Sequence, residues 1–334
     1  MRVGVVGVNF KSSDLMLREV LSKAFKHCFG NGSSFPSVLL STCNRSELYF
    51  SCDELAFAHS EILTILRKEI DVPFEHVLYS YFGGECFTHL AAVTSGLDSA
   101  IIAETAIQAQ VKQAYAYASL HDSLQSALHF MFQKCLKIGK GMRTSMTLSR
   151  GRKNLQGSLE RSLFQISLLL VKEFKTASIL FVGNSEINRK IIDLFKSRGI
   201  SNITLCTRTP KNAEDLNMHV TDWRELAEWQ NYEIVICGTN QGEYLISALG
   251  EEKKGRTRII FDLGMPRNVD PQLGRHPGII LFNIEELSSM VNCARRLPYA
   301  EIQKIEHKIR AEVDRQLLIF YKKQQRVYQK CGVL

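Results

Sequence analysis

Four short apolar runs in the second half of the chain constrain its fold more than any other feature. They are 178-SILFV-182, 202-NITLCTRT-209, 233-EIVICGTN-240 and 258-RIIFDLGMP-266. Each is almost continuously apolar rather than alternating, which suits a strand covered on both faces, and helical stretches separate them. That order predicts a parallel, doubly wound sheet of the Rossmann kind, whose ligands sit at the C-terminal ends of the strands. The first run passes into 183-GNSEINRK-190 and a helix reaching Ser197.

The first half has a different rhythm. Arg2–Phe10 reads as a Val-rich strand, and 15–28 as an amphipathic helix with Leu17, Val20, Leu21, Ala24 and Phe25 on one stripe. A turn-rich GNGSSFP follows, then a strand at 37–40, the TCNR turn, a strand at 47–51, a helix over about 55–70 and a strand near 77–82. The order βαββαβ predicts an α+β sandwich of the ferredoxin-like type. Residues 85–132 are helical in pattern, broken at TSGLDS (94–99), and another helix is expected over about 157–175, after the SRGRKN joint. Beyond Pro298 the series Ile302, Ile305, Ile309, Val313, Leu317, Phe320 predicts a long helix with one apolar stripe, covered by this chain or by a partner. The expected division is residues 1–155 for catalysis and substrate binding, 156–288 for the nucleotide, and 289–334 for a long helix.

Length and composition agree with two domains: 334 residues, 45% hydrophobic and 23% charged. No apolar stretch approaches the eighteen residues of a membrane span, and MRVGVVGVNF lacks the order of a secretory signal. Nine cysteines without a CxxC pair point to reduced thiols in the cytoplasm and give no reason to expect a metal site. The net charge of +8 is uneven: Lys134, Lys137, Lys140, Arg143, Arg150, Arg152, Lys153 and Arg161 face a single acid, Glu160. This stretch is either a solvated face or an electropositive surface for a polyanion such as RNA, read through shape and phosphates.

Two stretches carry candidate chemistry. In 183-GNSEIN-188 only Gly183 survives of the G-x-G-x-x-G that lets backbone N–H groups approach a pyrophosphate, and Asn184, Ser185, Glu186, Ile187 and Asn188 occupy the rest. At the next strand end Thr207-Arg208-Thr209 places a cation where an acid would favour NADH, so NADPH is preferred, unless Arg208 merely caps a surface turn. Gly238, Thr239 and Asn240 end a later strand, and 262-DLGMP-266 another, as candidate floor and nicotinamide-side residues. The other stretch is 38-VLLSTCNRSELYF-50. Cys43 follows a buried-type strand, with Thr42 and Asn44 beside it, Arg45 placed to stabilise a thiolate, and Glu47 placed to fix the guanidinium or bind an amino group. A buried, inert cysteine in a tight turn remains the other reading. Cys28, Cys206 and Cys237 sit in apolar elements and read as structural.

S-T-C-N-R-x-E, together with SGLDS, QVKQAY, TRT and D-x-x-x-P-R-N-V-D-P, resembles the glutamyl-tRNA reductase family over roughly the first 290 residues. The resemblance implies NADPH-dependent reduction of glutamyl-tRNA(Glu) to glutamate-1-semialdehyde, the first step of tetrapyrrole synthesis by the five-carbon route. It implies Cys43 as the nucleophile that forms a thioester, Arg45 as the ligand of the substrate carboxylate, and His89 as an aid to proton transfer. Thr42, Asn44, Ser99, Glu104, Thr105, Ala106 and Gln110 match pocket positions, Ala106 standing where the family has glutamine. The family's GEPQILGQVK appears as 103-AETAIQAQVK-112. The tRNA gives the basic stretch a partner, and a glutamate-1-semialdehyde aminomutase is implied as the receiver of the product. The family's long helix leads into a dimerisation domain. A chain ending at Leu334 is expected to lack most of it, so a homodimer would have to use the remaining helix. Two other readings stand beside this one: a Cys-dependent aldehyde dehydrogenase, and a non-catalytic nucleotide- or RNA-binding homologue.

Overall fold

A computed structural model describes residues 1–30, 35–100, 106–121, 123–150, 158–171, 173–239, 241, 243–247, 257–293 and 299–330. The chain forms two compact units, one of residues 1–156 and 296–334, the other of residues 157–295.

In the first unit, β1 (Gly4–Asn9), α1 (Leu15–Phe29), β2 (Ser37–Ser41), β3 (Arg45–Phe50), α2 (Leu55–Glu69) and β4 (Tyr79–Phe82) follow in the expected order. The sheet order β2-β3-β1-β4, antiparallel throughout, is the ferredoxin-like arrangement. Asp14 caps α1 by accepting from the Leu17 N–H at 2.8 Å. Leu21, Ala24 and Phe25 are buried as expected, but Val20 is 41% exposed, and the inward stripe runs instead through Leu15, Arg18, Leu21 or Ser22, Phe25 and Phe29. Steps of three and four from Leu15 leave Val20 off that face, because one residue turns the helix by about 100°.

The helices α3 (Gly83–Ser95), α4 (Ala106–His121) and α5 (Ser126–Arg150) cover the other sheet face, and α9 (Tyr299–Lys330) packs among them. The question posed by the α9 stripe is thereby answered. Ile305, Ile309, Val313 and Phe320 are buried in one cluster with Phe87, Leu90, Phe132 and Ile138, and the Phe130 ring lies tilted 5.0 Å from that of Phe320. Ile309→Ala is expected to cost about 2–5 kcal/mol by the transfer and cavity terms, measured as a fall in the urea midpoint of the first unit's transition.

The second unit contains α6 (Ser158–Leu170), β5 (Ile179–Val182), α7 (Glu186–Ser197), β6 (Ile203–Thr207), β7 (His219–Asp222), β8 (Ile234–Cys237), β9 (Arg258–Asp262), β10 (Ile279–Asn283) and α8 (Ile284–Cys293). All neighbours pair in parallel in the order β10-β9-β8-β5-β6-β7, a doubly wound sheet with its switch point between β5 and β8. Four strands were legible as buried apolar runs. The edge strands β7 and β10 were not, since an edge strand shields less of itself and HVTD carries one buried residue.

Candidate active site and nucleotide site

The hairpin of β2 and β3 holds Cys43 at its tip. Thr42 N–H donates to the Arg45 carbonyl at 2.8 Å, closing the turn, and Phe10 N–H donates to the Asn44 carbonyl at 2.9 Å, docking it on the end of β1. Thr42 Oγ1 accepts from Asn44 N–H at 3.2 Å. Cys43 is a partly exposed thiol on this braced loop.

Behind the tip lies a buried ionic network. Glu47 is fully buried and accepts four donors: Arg45 Nη1 at 2.7 Å, Tyr49 Oη at 2.6 Å, His89 Nε2 at 2.8 Å, and Tyr79 Oη. Burial opposes ionisation of Glu47, but Arg45 and His89 outweigh it and hold the carboxyl well below the usual range. Arg45, 1% exposed, also donates to Asp98 Oδ2 at 3.1 Å and to the Asp98 carbonyl. Burial works against the charge of Arg45, and Glu47 with Asp98 reverses the effect and raises its pKa. Asp98 itself pairs with Lys11. Burial pushes its carboxyl up, and Arg45 and Lys11 bring it below the ordinary value. Gly96 (φ +75°) ends α3 in the left-handed conformation, returning the chain so that Asp98 reaches Arg45. The His89 ring is flanked by Tyr79 at 5.3 Å and Tyr81 at 5.0 Å.

Sequence reasoning missed Asp98, Lys11, Tyr49 and Tyr79. Asp98 lies in the TSGLDS helix break and in the SGLDS motif, neither of which assigns it a role. Ser99 is 4% exposed, and its hydroxyl has no hydrogen-bond partner among the described residues, an unfilled polar group next to the network. Ala106 begins α4 exposed, and Gln110 lies half-buried on it; Glu104 and Thr105 fall outside the described residues. His27, Cys28 and Glu69, at the C-terminal ends of α1 and α2, bring possible metal-ligand atoms within 4.8 Å of one another. They are not part of this network.

In the second unit the first turn of α7 opens at the end of β5. Gly183 has φ +92°, and a Cβ there would lie 2.4 Å from Thr239 Cγ2, so this position accepts only glycine. Ser185 caps α7, Asn184 Oδ1 accepts from Arg189 Nε at 2.7 Å, and Ile187 is half-buried. Glu186 is exposed and pairs with Lys190 at 2.6 Å. Asn188 is fully buried. At the end of β6, Thr207 is buried and its Oγ1 accepts from Thr209 N–H at 3.3 Å. Arg208 is exposed, its guanidinium 5.0 Å from the centre of the Trp223 ring. Gly238 N–H donates to the Val182 carbonyl at 3.0 Å and Thr239 N–H to Asn268 Oδ1 at 2.9 Å; Asn240 lies outside the described residues. The Asp262 carboxylate is spent on the N–H groups of Gly264, Asn268 and Val269, so it shapes its loop. Cys206 and Cys237 are buried strand thiols, the former pushed up to about 11 by burial. No described helix is long and apolar enough to cross a membrane.

Comparison with known proteins follows this division. The family model of the glutamyl-tRNAGlu reductase N-terminal domain matches residues 6–146, and that of shikimate / quinate 5-dehydrogenase matches residues 166–290. The chain is 35% identical over 279 residues to glutamyl-tRNA reductase of Chlamydia abortus, covering 80% of this chain and 78% of that protein. With the glutamyl-tRNA reductase of Chlamydia pneumoniae the identity is 31%, covering 99% of this chain and 96% of that one. A solved glutamyl-tRNA reductase from Methanopyrus kandleri aligns over 97% of this chain and 82% of its own, at 22% identity and a TM-score of 0.49. The second unit has a dinucleotide-binding fold, as the shikimate dehydrogenase match and the sheet order both require. On the extent and identity of these matches, the chain belongs to the glutamyl-tRNA reductase family.

Proposed function

We propose that this chain reduces glutamyl-tRNA to glutamate-1-semialdehyde with NADPH, by way of a thioester on Cys43. As a member of its family it is an oxidoreductase of tetrapyrrole biosynthesis. The observation that carries the finer reading is the braced hairpin tip: Cys43 stands at its apex, and the strand leaving it carries the buried Arg45 and Glu47 into a network with the half-buried His89.

The Cys43 sulfur attacks the aminoacyl ester carbonyl. The carbon–oxygen bond to the tRNA ribose breaks, the ribose oxygen takes a proton, and glutamate remains as a thioester. His89 is the group assigned to that proton transfer. Arg45, with Lys11 beside the same Asp98, provides the positive charge for the substrate carboxylate, and the Ser99 hydroxyl supplies a hydrogen bond that it does not make among the described residues. Thr42, Asn44, Glu104, Thr105, Ala106 and Gln110 complete the proposed pocket. Glu47, already holding four donors, serves by fixing Arg45 and His89.

The glycine turn at Gly183 and the cation at Arg208 fit a dinucleotide phosphate, and NADPH when bound supplies the hydride that turns the thioester into the aldehyde. Gly183 to Asn188 would line the pyrophosphate, Thr207, Arg208 and Thr209 the 2′-phosphate, and Gly238 with Thr239 the floor. Arg208→Ala is expected to weaken NADPH about tenfold or more, the scale of one charged hydrogen bond, and to leave NADH within about twofold. Equal losses, measured by cofactor fluorescence titration, would remove the 2′-phosphate role. On α5, Lys137 and Lys140 are exposed and suit a tRNA backbone, and a cytoplasmic location belongs to the same reading. The receiving aminomutase belongs to the same reading, and light scattering decides whether a homodimer forms.

A single-turnover experiment tests the whole reading. Protein mixed with glutamyl-tRNA bearing labelled glutamate is expected to release semialdehyde with NADPH, and free glutamate without it through slow thioester hydrolysis. Folded protein that neither reduces nor deacylates the tRNA would sink it.

A further inference from the structure

The turn after β5 lacks two of the three glycines that such a turn employs, yet it closes. In the usual fingerprint the third glycine lets the helix sit against the strands. Asn188 stands there, with no exposed surface, in the first turn of α7. Its side-chain Nδ2 donates to the Val182 carbonyl at 3.0 Å and to the Gly183 carbonyl at 2.7 Å, stitching the helix to the end of β5. That amide occupies space on the side of β8. A Cβ built at Gly238 would lie 2.6 Å from Asn188 Oδ1 and 3.0 Å from its Cγ. Real Cβ atoms do not approach so closely, and a retreat of the Asn188 amide would strain the two bonds by which its Nδ2 is held.

We infer that this chain has moved a glycine across the sheet: Asn188 replaces the close-packing glycine of the helix, and Gly238 at the end of β8 makes the room for it. Asn188 is thus a positioning residue for the dinucleotide turn, acting through the carbonyls of Val182 and Gly183. The inference builds on the reading of the second unit as the NADPH site. Its structural half stands apart from the cofactor.

Four variants of the full chain test it: Asn188→Gly, Asn188→Ala, Gly238→Ala, and the double Asn188→Ala/Gly238→Ala. Each is followed by thermal unfolding of the second unit and by NADPH fluorescence titration. Asn188→Gly restores a fingerprint glycine, yet it is expected to weaken NADPH about tenfold, since the Gly183 carbonyl loses its side-chain donor and the Val182 carbonyl keeps the Gly238 N–H but loses the stitch to the helix. Gly238→Ala is expected to lower Tm by several degrees, and the double variant to regain most of that loss because the clashing amide is gone. Should Gly238→Ala fail to accumulate as folded protein, recovery of folded protein in the double variant reads the same coupling. Additive losses in the double variant, or unchanged or tighter NADPH binding in Asn188→Gly, would overturn the inference. Wild-type protein that binds no NADPH while the Tm coupling persists would instead sink the cofactor reading and leave the exchange of residues standing.

Discussion

Cys43→Ser is expected to lower semialdehyde formation by about 10⁴-fold or more, the loss seen when a nucleophile is removed from a site whose other groups remain. Serine preserves the shape of the turn, which is braced by backbone bonds from Thr42 to Arg45 and from Phe10 to Asn44 and by the Thr42 hydroxyl accepting from the Asn44 N–H. Folding should therefore be unchanged, with Tm within about 1 °C, under about 1 kcal/mol for a chain of this size. The hydroxyl has no ready route to its anion at neutral pH, whereas a thiol does. Deacylation of glutamyl-tRNA without NADPH must fall in parallel, because the thioester precedes both outcomes. A Cys43→Ser protein that forms semialdehyde at the wild-type rate would rule out the covalent route and revive the inert cysteine in a tight turn.

Glu47→Ala is expected to destabilise the first unit by about 3–5 kcal/mol, the usual cost of leaving a buried charge without its partner. Arg45 would keep only Asp98, and Tyr49, Tyr79 and His89 would lose their shared acceptor. Urea denaturation measures the loss, and a change below about 1 kcal/mol would deny the network its structural weight. The same network sets an acid limit. Glu47 and Asp98 have folded pKa values held below the ordinary ones, so the unfolded chain takes up protons first as the pH drops. Their stabilisation is complete above the ordinary carboxylate pKa of about 4 and is lost progressively below it. Wild-type Tm should stay level from pH 8 to about pH 5.5 and fall steeply under about pH 4.5. Glu47→Gln should flatten that slope by about 1.4 kcal/mol per pH unit, one proton's worth. An equally steep slope in Glu47→Gln would place the acid sensitivity elsewhere.

What the sequence made legible followed from periodicity and local chemistry. Continuous apolar runs announced β5, β6, β8 and β9, and the βαββαβ order announced the ferredoxin-like sheet. Val20 was misread because it lies beside Leu21 in sequence but about 100° from it on the helix. The site divided in the same way. TCNR placed Cys43 at a strand end, since turn residues and flanking strands are local facts. Glu47 and Arg45 were visible as charges two apart, but their burial was not, because it depends on His89 and Asp98, 42 and 53 residues away. Asn188 looked like a lost glycine, as Gly238, its counterpart, lies 50 residues further on. Pairings across such separations are set by tertiary contact and leave no mark in any short window.

The placement of α9 has a consequence for biosynthesis. Its buried stripe completes the core of the first unit, although the whole of the second unit precedes it in the chain. As the polypeptide leaves the ribosome, the Cys43 unit waits with an uncovered apolar groove while some 140 residues of the nucleotide unit are made, roughly 7–28 s at ordinary elongation rates. The later-encoded unit is thus the first that can reach its finished state. Stalled chains ending before Tyr299 should contain a protease-resistant second unit joined to a Cys43 unit that proteases cut more readily.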